Sequence, residues 1–230
     1  MRRSVALAAV ASLTLVLALS VSARAETPGP PFPRDGAKKV AENAYFAIWD
    51  VTFEKGRSSG MHTLPLEQVS VFLNDGPVRF VRPDGTWTVE QMKMGSVRYG
   101  SKGTTEAEEG VGGPVRAVIF QLKDATPPVR PVVEGVGGKF DGRPGAVTLF
   151  ETDRITVRDY TWFKGTKTPL HLHYKIDASV YLVGGTNQTD EKVNYVWKPG
   201  SVNAGTAPIP RPHFEYQLEG EARGISVELK

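Results

Sequence analysis

The stretch GTKTPLHLHYKIDASVYLVGG, Gly165 to Gly185, carries two of the chain's four histidines on what reads as a strand, with an acid four residues after the second. Strand side chains alternate faces, so His171, His173 and Asp177 are expected to point the same way. Two imidazoles and a carboxylate on one face make half of a transition-metal site. The same parity sends Lys175 inward, unless a bulge turns it away or it meets an anionic substrate at a cavity mouth.

The rest of the 230 residues bounds what such a site could serve. Residues 1–25 combine Arg2 and Arg3, an apolar run from Val5 to Val21 and a small-residue end, Ala23-Arg24-Ala25, the pattern of an export signal cleaved after Ala25. Periplasmic or secreted location follows as an expectation, with no membrane association once the signal is removed. The chain has no cysteine, which excludes disulfides and thiolate ligands. The formal charge of +3 comes from the three arginines of the leader; beyond it 25 Lys+Arg face 25 Asp+Glu. With no basic stripe interleaved with aromatics, a nucleic-acid partner is not expected. There is no Gly-x-Ser-x-Gly elbow, and a Ser-His-Asp triad would have to take a histidine from the metal set.

Residues 26–42 are a Pro-rich lead, read as a tether or a segment laid over the protein surface, with Ala37 to Asn43 forming a short helix or edge turn. Short β-like runs follow at Tyr45–Glu54, Gln68–Leu73, Val78–Val81, Thr86–Gln91, Ser96–Tyr99 and Val115–Leu122, divided by turn pairs such as Asp75-Gly76 and Asp84-Gly85. Lys123 to Gly145 is dense in Pro and Gly and reads as a linker. Strand-like runs resume at Ala146–Phe150 and Ile155–Phe163.

The segments on either side of that linker resemble each other. Asp50-Val-Thr-Phe-Glu-Lys-Gly56 aligns with Asp159-Tyr-Thr-Trp-Phe-Lys-Gly165 at an offset of 109, which also carries Val71-Phe-Leu onto Val180-Tyr-Leu. Lys93-Met-Gly-Ser-Val97 falls on Lys198-Pro-Gly-Ser-Val202 at 105, and Gln121-Leu-Lys123 on Glu228-Leu-Lys230 at 107. His62 then corresponds to His171, Leu64 to His173, Gln68 to Asp177 and Glu106 to His213. The chain is read as two copies of one β unit.

Gly165, five residues, His171-x-His173, Asp177 four positions on and Gly184 beyond it resemble the first motif of the cupins, with Asp where that family has Glu. Pro199-Gly200, His213 and Gln217 resemble the second motif, with a stretched interval and Gln for Asn. The resemblance implies an all-β chain of two tandem jelly-roll barrels: 43–124 with a degenerate site, a linker at 125–145, and 146–230 with the metal site. It implies His171, His173, Asp177 and His213 as ligands of one divalent transition metal, Fe, Mn, Cu, Ni or Zn. Asp is a methylene shorter than Glu, so Asp177 is left either as a ligand, as one acting through a water, or as an acceptor behind the ligands.

Around this set, Glu215 lies on His213's face as a general acid or base or as a surface carboxylate, and Gln217 and Tyr181 are further candidates near substrate. His62 with Glu67 and Glu106 is a weaker carboxylate-rich site in the first copy. The expected activity is a dioxygenase- or decarboxylase-like step on a small organic molecule, by a monomer or homodimer. The alternatives are a non-catalytic periplasmic protein that binds a metal or small ligand, and an assembly module with two degenerate barrels.

Overall fold

The computed structural model describes residues 28–128, 131–205 and 211–230. The expected export signal lies outside them. The described residues contain no helix, and none is long and apolar enough to cross a membrane.

Strands β1 (Ala37–Glu42), β2 (Phe46–Phe53), β3 (His62–Thr63), β4 (Glu67–Phe72), β5 (Gly76–Val81), β6 (Trp87–Met92), β7 (Val97–Gly100), β8 (Thr105–Gly110) and β9 (Val115–Leu122) form the first unit. A short strand β10 (Gly137–Gly138) follows. The second unit has β11 (Ala146–Glu151), β12 (Ile155–Thr161), β13 (His171–Leu172), β14 (Asp177–Val183), β15 (Gly185–Thr189), β16 (Asn194–Trp197), β17 (Val202–Asn203), β18 (Glu215–Glu219) and β19 (Arg223–Leu229).

The duplication is visible in strand order. One five-stranded sheet runs β1-β2-β9-β4-β7 and the other β11-β12-β19-β14-β17, the same order shifted by ten strands. Each is faced by a smaller sheet, β3-β8-β5-β6 in the first unit and β16-β15-β18 in the second, giving the antiparallel all-β jelly-roll architecture twice. The turn repeat is preserved atom for atom. Ser96 N–H donates to the Lys93 carbonyl and Ser201 N–H to that of Lys198, at 2.8 and 2.9 Å.

Alternation sorts each strand between two environments. Phe46, Ile48, Val69, Val71, Val118, Phe120 and Leu122 of the first large sheet meet Ile155, Val157, Ala178, Val180, Ile225, Val227 and Leu229 of the second in one shared core. Each such side chain contributes roughly 1.5–3 kcal/mol when fully buried. The contact is reciprocal at its rim. Arg116, paired with Asp50, lies against Gly200, and Arg223, paired with Asp159, lies against Gly95. Both glycines have positive φ, which favours glycine in each turn, and a Cβ on either would lie 3.0 Å from the guanidinium, which would have to shift by a few tenths of an ångström.

Three expectations change. Ala37–Glu42 is the edge strand β1 and not a helix or turn, because its backbone pairs with β2 despite a bulge between Lys39 and Ala41. Strand β8, TEAEEG, was not anticipated: its inward positions are Glu106 and Glu108, so it lacks apolar alternation. The Gly165–Gly185 stretch holds β13 and β14 and ends on the first residue of β15, with residues 173–176 turning the corner between sheets. That corner leaves Lys175 half exposed on Glu228, at 3.2 Å.

Candidate metal centre

His171 and His213 are held by backbone. His171 N–H donates to the His213 carbonyl at 2.9 Å and His213 N–H to that of His171 at 3.0 Å, an antiparallel bridge that seats the two rings side by side. His173 follows at the start of the corner. The ring centroids lie 4.4 Å (His171 to His213), 5.1 Å (His173 to His213) and 5.4 Å (His171 to His173) apart.

The tautomers follow from the partners. His171 Nδ1–H donates to the Pro169 carbonyl at 2.8 Å and His213 Nδ1–H to the Arg211 carbonyl at 3.4 Å. A carbonyl only accepts, so in both rings the Nε2 lone pair is left free. All three Nε2 atoms are buried without a hydrogen-bond partner, and one nitrogen from each ring lies within 4.8 Å of the others. Burial pushes His171 down to about 4 and His173 down to about 3 from 6.5, with Lys139 adding to the second shift. Three converging, unpartnered imidazoles, with His171 and His173 kept neutral by burial, fit a divalent ion of borderline softness.

Asp177 lies outside that group. Its Oδ2 accepts from Lys139 Nζ at 2.6 Å, Ser226 Oγ at 3.1 Å and Ser179 Oγ at 3.3 Å, while Oδ1 is 3.9 Å from His173 Nδ1. Burial pushes the Asp177 carboxyl up, but Lys139, His173 and the Ser226 hydroxyl outweigh it and hold it below the usual carboxylate range.

Glu215 is next along the same face. Trp162 Nε1–H donates to its Oε2 at 2.7 Å, and Arg143 Nη2 lies 3.5 Å from the same oxygen. Burial raises its carboxyl; Arg143 and Trp162 more than offset this, so the net shift is downward. Tyr181 is packed between the rings of Trp162 and Trp197, at 5.6 and 4.2 Å, and burial pushes its hydroxyl well up. Gln217 Nε2 donates to the carbonyls of Glu219 and Gly220, tying down the turn after β18.

In the first unit the corresponding place is filled by ion pairs. His62 is opposite Glu106 in the β3–β8 register, as His171 is opposite His213. Arg98 clamps Glu106 with two bonds of 2.7 and 2.6 Å, and Arg34 holds Glu108 at 2.7 Å, itself 3.7 Å from His62 Nε2. Glu67 does not join them. It sits where the barrels meet and accepts from Tyr99 and Arg154.

Sequence reasoning missed Lys139, Arg143 and Glu108. One signal was available: Arg34-Asp-Gly-Ala37 and Arg143-Pro-Gly-Ala146 stand at the offset of 109, and each arginine reaches the equivalent glutamate, Glu108 or Glu215. Residues 137–143, read as linker, bring Lys139, Phe140 and Arg143 into the second unit, where β10 pairs in parallel with β13. Beside them a cleft of about 230 Å³, bounded by Lys139, Arg158, His173, Tyr174, Lys175 and Glu228 among others, opens to the surface.

No protein-family model matches the chain, and neither does any curated protein. Solved structures do. A Cupin 2 conserved barrel domain protein from Leptotrichia buccalis superposes with a TM-score of 0.55 at 12% identity, over 84% of this chain and 88% of its own. The chain has the cupin fold. Two cupins with named activities are also similar: salicylate 1,2-dioxygenase from Pseudaminobacter salicylatoxidans (TM-score 0.55, 10% identity, 84% of this chain and 75% of that one), and oxalate decarboxylase from Lactobacillus farciminis (0.54, 11%, 82% and 77%). Identities this low establish the architecture alone. The His171-His173-His213 group is this chain's own evidence that the second cupin barrel could hold a metal.

Proposed function

We propose that the chain is an exported metal-dependent enzyme that holds one divalent transition metal on His171, His173 and His213 and carries out an oxidative or decarboxylative step on a small organic molecule. The observation that carries this reading is the convergence of three buried Nε2 atoms without a partner, on rings of which one, His173, also borders the open cleft. A storage or structural site is closed, whereas a catalytic one keeps a position within reach of substrate. Salicylate dioxygenase and oxalate decarboxylase among the cupins of similar fold agree with that class of reaction. Export rests on the leader sequence.

A divalent ion in this site would supply Lewis acidity and, if Fe, Mn or Cu, redox capacity. The chain's own residues do the rest. The backbone bridge between His171 and His213 fixes two rings, and their i−2 carbonyls fix the tautomers. Glu215, held ionised and oriented by Trp162 and Arg143, sets a fixed negative charge near His171. Tyr160, Trp162 and Tyr181 pack as a buried aromatic wall that keeps bulk water out of the barrel.

Metal analysis of protein purified from its native compartment tests the reading. Retention of about one equivalent, lost on His171→Ala, supports it; under ~0.2 equivalents of any transition metal overturns it. Oxygen uptake and CO2 release against a panel of phenols and small organic acids then separates catalysis from binding. Metal retained with no turnover of any of them would favour the non-catalytic periplasmic alternative.

A further inference from the structure

Asp177 stands at the sequence position of a fourth ligand, yet its bonds run elsewhere. Three donors converge on one oxygen, Oδ2: Lys139 Nζ, Ser226 Oγ and Ser179 Oγ, at 2.6, 3.1 and 3.3 Å. The other oxygen faces Nδ1 of His173, not the unpartnered Nε2. The carboxylate thus lies behind the ring, on the side away from the cluster.

Lys139 is delivered there by a built segment. Gly137 pairs with His171 in β10–β13, the Tyr174 hydroxyl accepts from Val133 N–H at 3.0 Å and donates to the Val136 carbonyl at 2.9 Å, and Asp141 caps Gly138 N–H at 2.7 Å. Both ends of the ion pair are buried, with side chains 8% and 9% exposed. Burying a lysine is costly unless it is matched by a partner, so a segment shaped to do it beside a ligand cluster calls for a reason. The first barrel has no such pair. Pro30 and Gln68 stand at the positions of Lys139 and Asp177 at the offset of 109.

We infer that Lys139 is a positioning residue that holds Asp177 off the metal, leaving the three histidines as the only protein ligands. The inference rests on the metal reading above. Oδ2 is taken up by an ammonium and two hydroxyls, and Oδ1 is turned to the Nδ1 side of His173 and not to the Nε2 cluster, so neither oxygen is presented to the metal. With three neutral donors the centre keeps its full positive charge and its open positions, and so selects an anionic oxygen donor as its external ligand. In this arrangement Asp177 serves Lys139 and the back of His173.

Co(II) is the probe, titrated into the chelator-treated full chain against a competing chelator while its d–d absorption is followed. Asp177→Asn should leave the Co(II) d–d spectrum unchanged, since a residue behind the ligands is not in the coordination set, even where the loss of such a partner lowers affinity by about 10–100-fold. Lys139→Met should raise Co(II) affinity by about tenfold or more and alter the d–d spectrum as the freed carboxylate coordinates, and Lys139→Met/Asp177→Asn should abolish both changes. A d–d spectrum altered by Asp177→Asn alone, the sign of a lost ligand, overturns the inference while leaving the metal reading intact. So does an unchanged affinity and spectrum in Lys139→Met. Should Lys139→Met not fold, the near-isosteric Asp177→Asn variant still decides. A wild-type chain that takes up no Co(II) removes the metal reading and this inference together.

Discussion

At equivalent positions the two barrels keep one face and exchange the other. On the shared face Ile48 matches Val157, Val71 matches Val180, Val118 matches Ile225 and Leu122 matches Leu229, apolar for apolar. Inside, the pairs read Val51 and Tyr160, Phe53 and Trp162, Phe72 and Tyr181, Val78 and Asn187, Ile119 and Ser226. At these positions the first interior is a packed apolar core, with its ion pairs gathered around His62, and the second is polar and aromatic. Each barrel's outer face is the other's core, so a polar substitution there would damage both. An interior is private to its barrel, and one of the two was free to exchange packing for chemistry.

The largest test of the contrast is at His173. His173→Leu copies Leu64 of the first barrel and should reduce bound metal from about one equivalent to under ~0.1, because two imidazoles hold a divalent ion far more weakly than three. Metal analysis reads the result. Retention of full stoichiometry would mean that the two sites differ in something other than the ligand set.

The shared core gives the next effect. Leu122→Ala and Leu229→Ala remove equivalent buried side chains and should each cost about 2–5 kcal/mol in urea unfolding, with similar values. A large inequality would show that the barrels do not depend equally on their contact.

Acid should act through the second barrel. In the metal-free protein His171 is pushed down to about 4 and His173 down to about 3 from 6.5, mainly by burial. Between those values and 6.5 the unfolded chain takes up protons that the folded chain refuses. Stability therefore rises with pH through that window and is lost as pH falls through it. The urea midpoint of chelator-treated protein should follow this slope, and His171→Gln/His173→Gln should flatten it.

The smallest effect is at Asn187. It is buried with neither amide atom partnered, whereas Val78 at the matching position lies in the apolar core. Asn187→Val should stabilise the metal-free protein by about 1 kcal/mol, a rise of roughly 2–4 °C in Tm, by removing an unpaired buried amide. A loss of stability would show that the amide is satisfied in the folded protein.

Legibility followed the same division. β9, with Val118, Phe120 and Leu122 alternating against Ala117 and Ile119, was read with its observed bounds, Val115–Leu122. β8 was missed because Glu106 and Glu108 point inward where a pattern reader looks for apolar residues. The corner after His171 was missed for a related reason. Alternation was extended through His173 and Lys175, where the chain in fact leaves one sheet for the other, and a change of sheet leaves no trace in a period of two.

The sequence by itself determined the duplication, the all-β class and the candidacy of His171, His173 and His213, because spacing and repetition survive in one dimension. Only the tertiary structure decided which charges meet. Lys139 reaches Asp177 and Arg143 reaches Glu215 across 38 and 72 residues, from a stretch whose Pro and Gly content reads as linker. Ion pairs of that kind have no periodicity and no local propensity. They exist because the fold carries a segment between barrels past the mouth of one of them, where a buried carboxylate needs a cation.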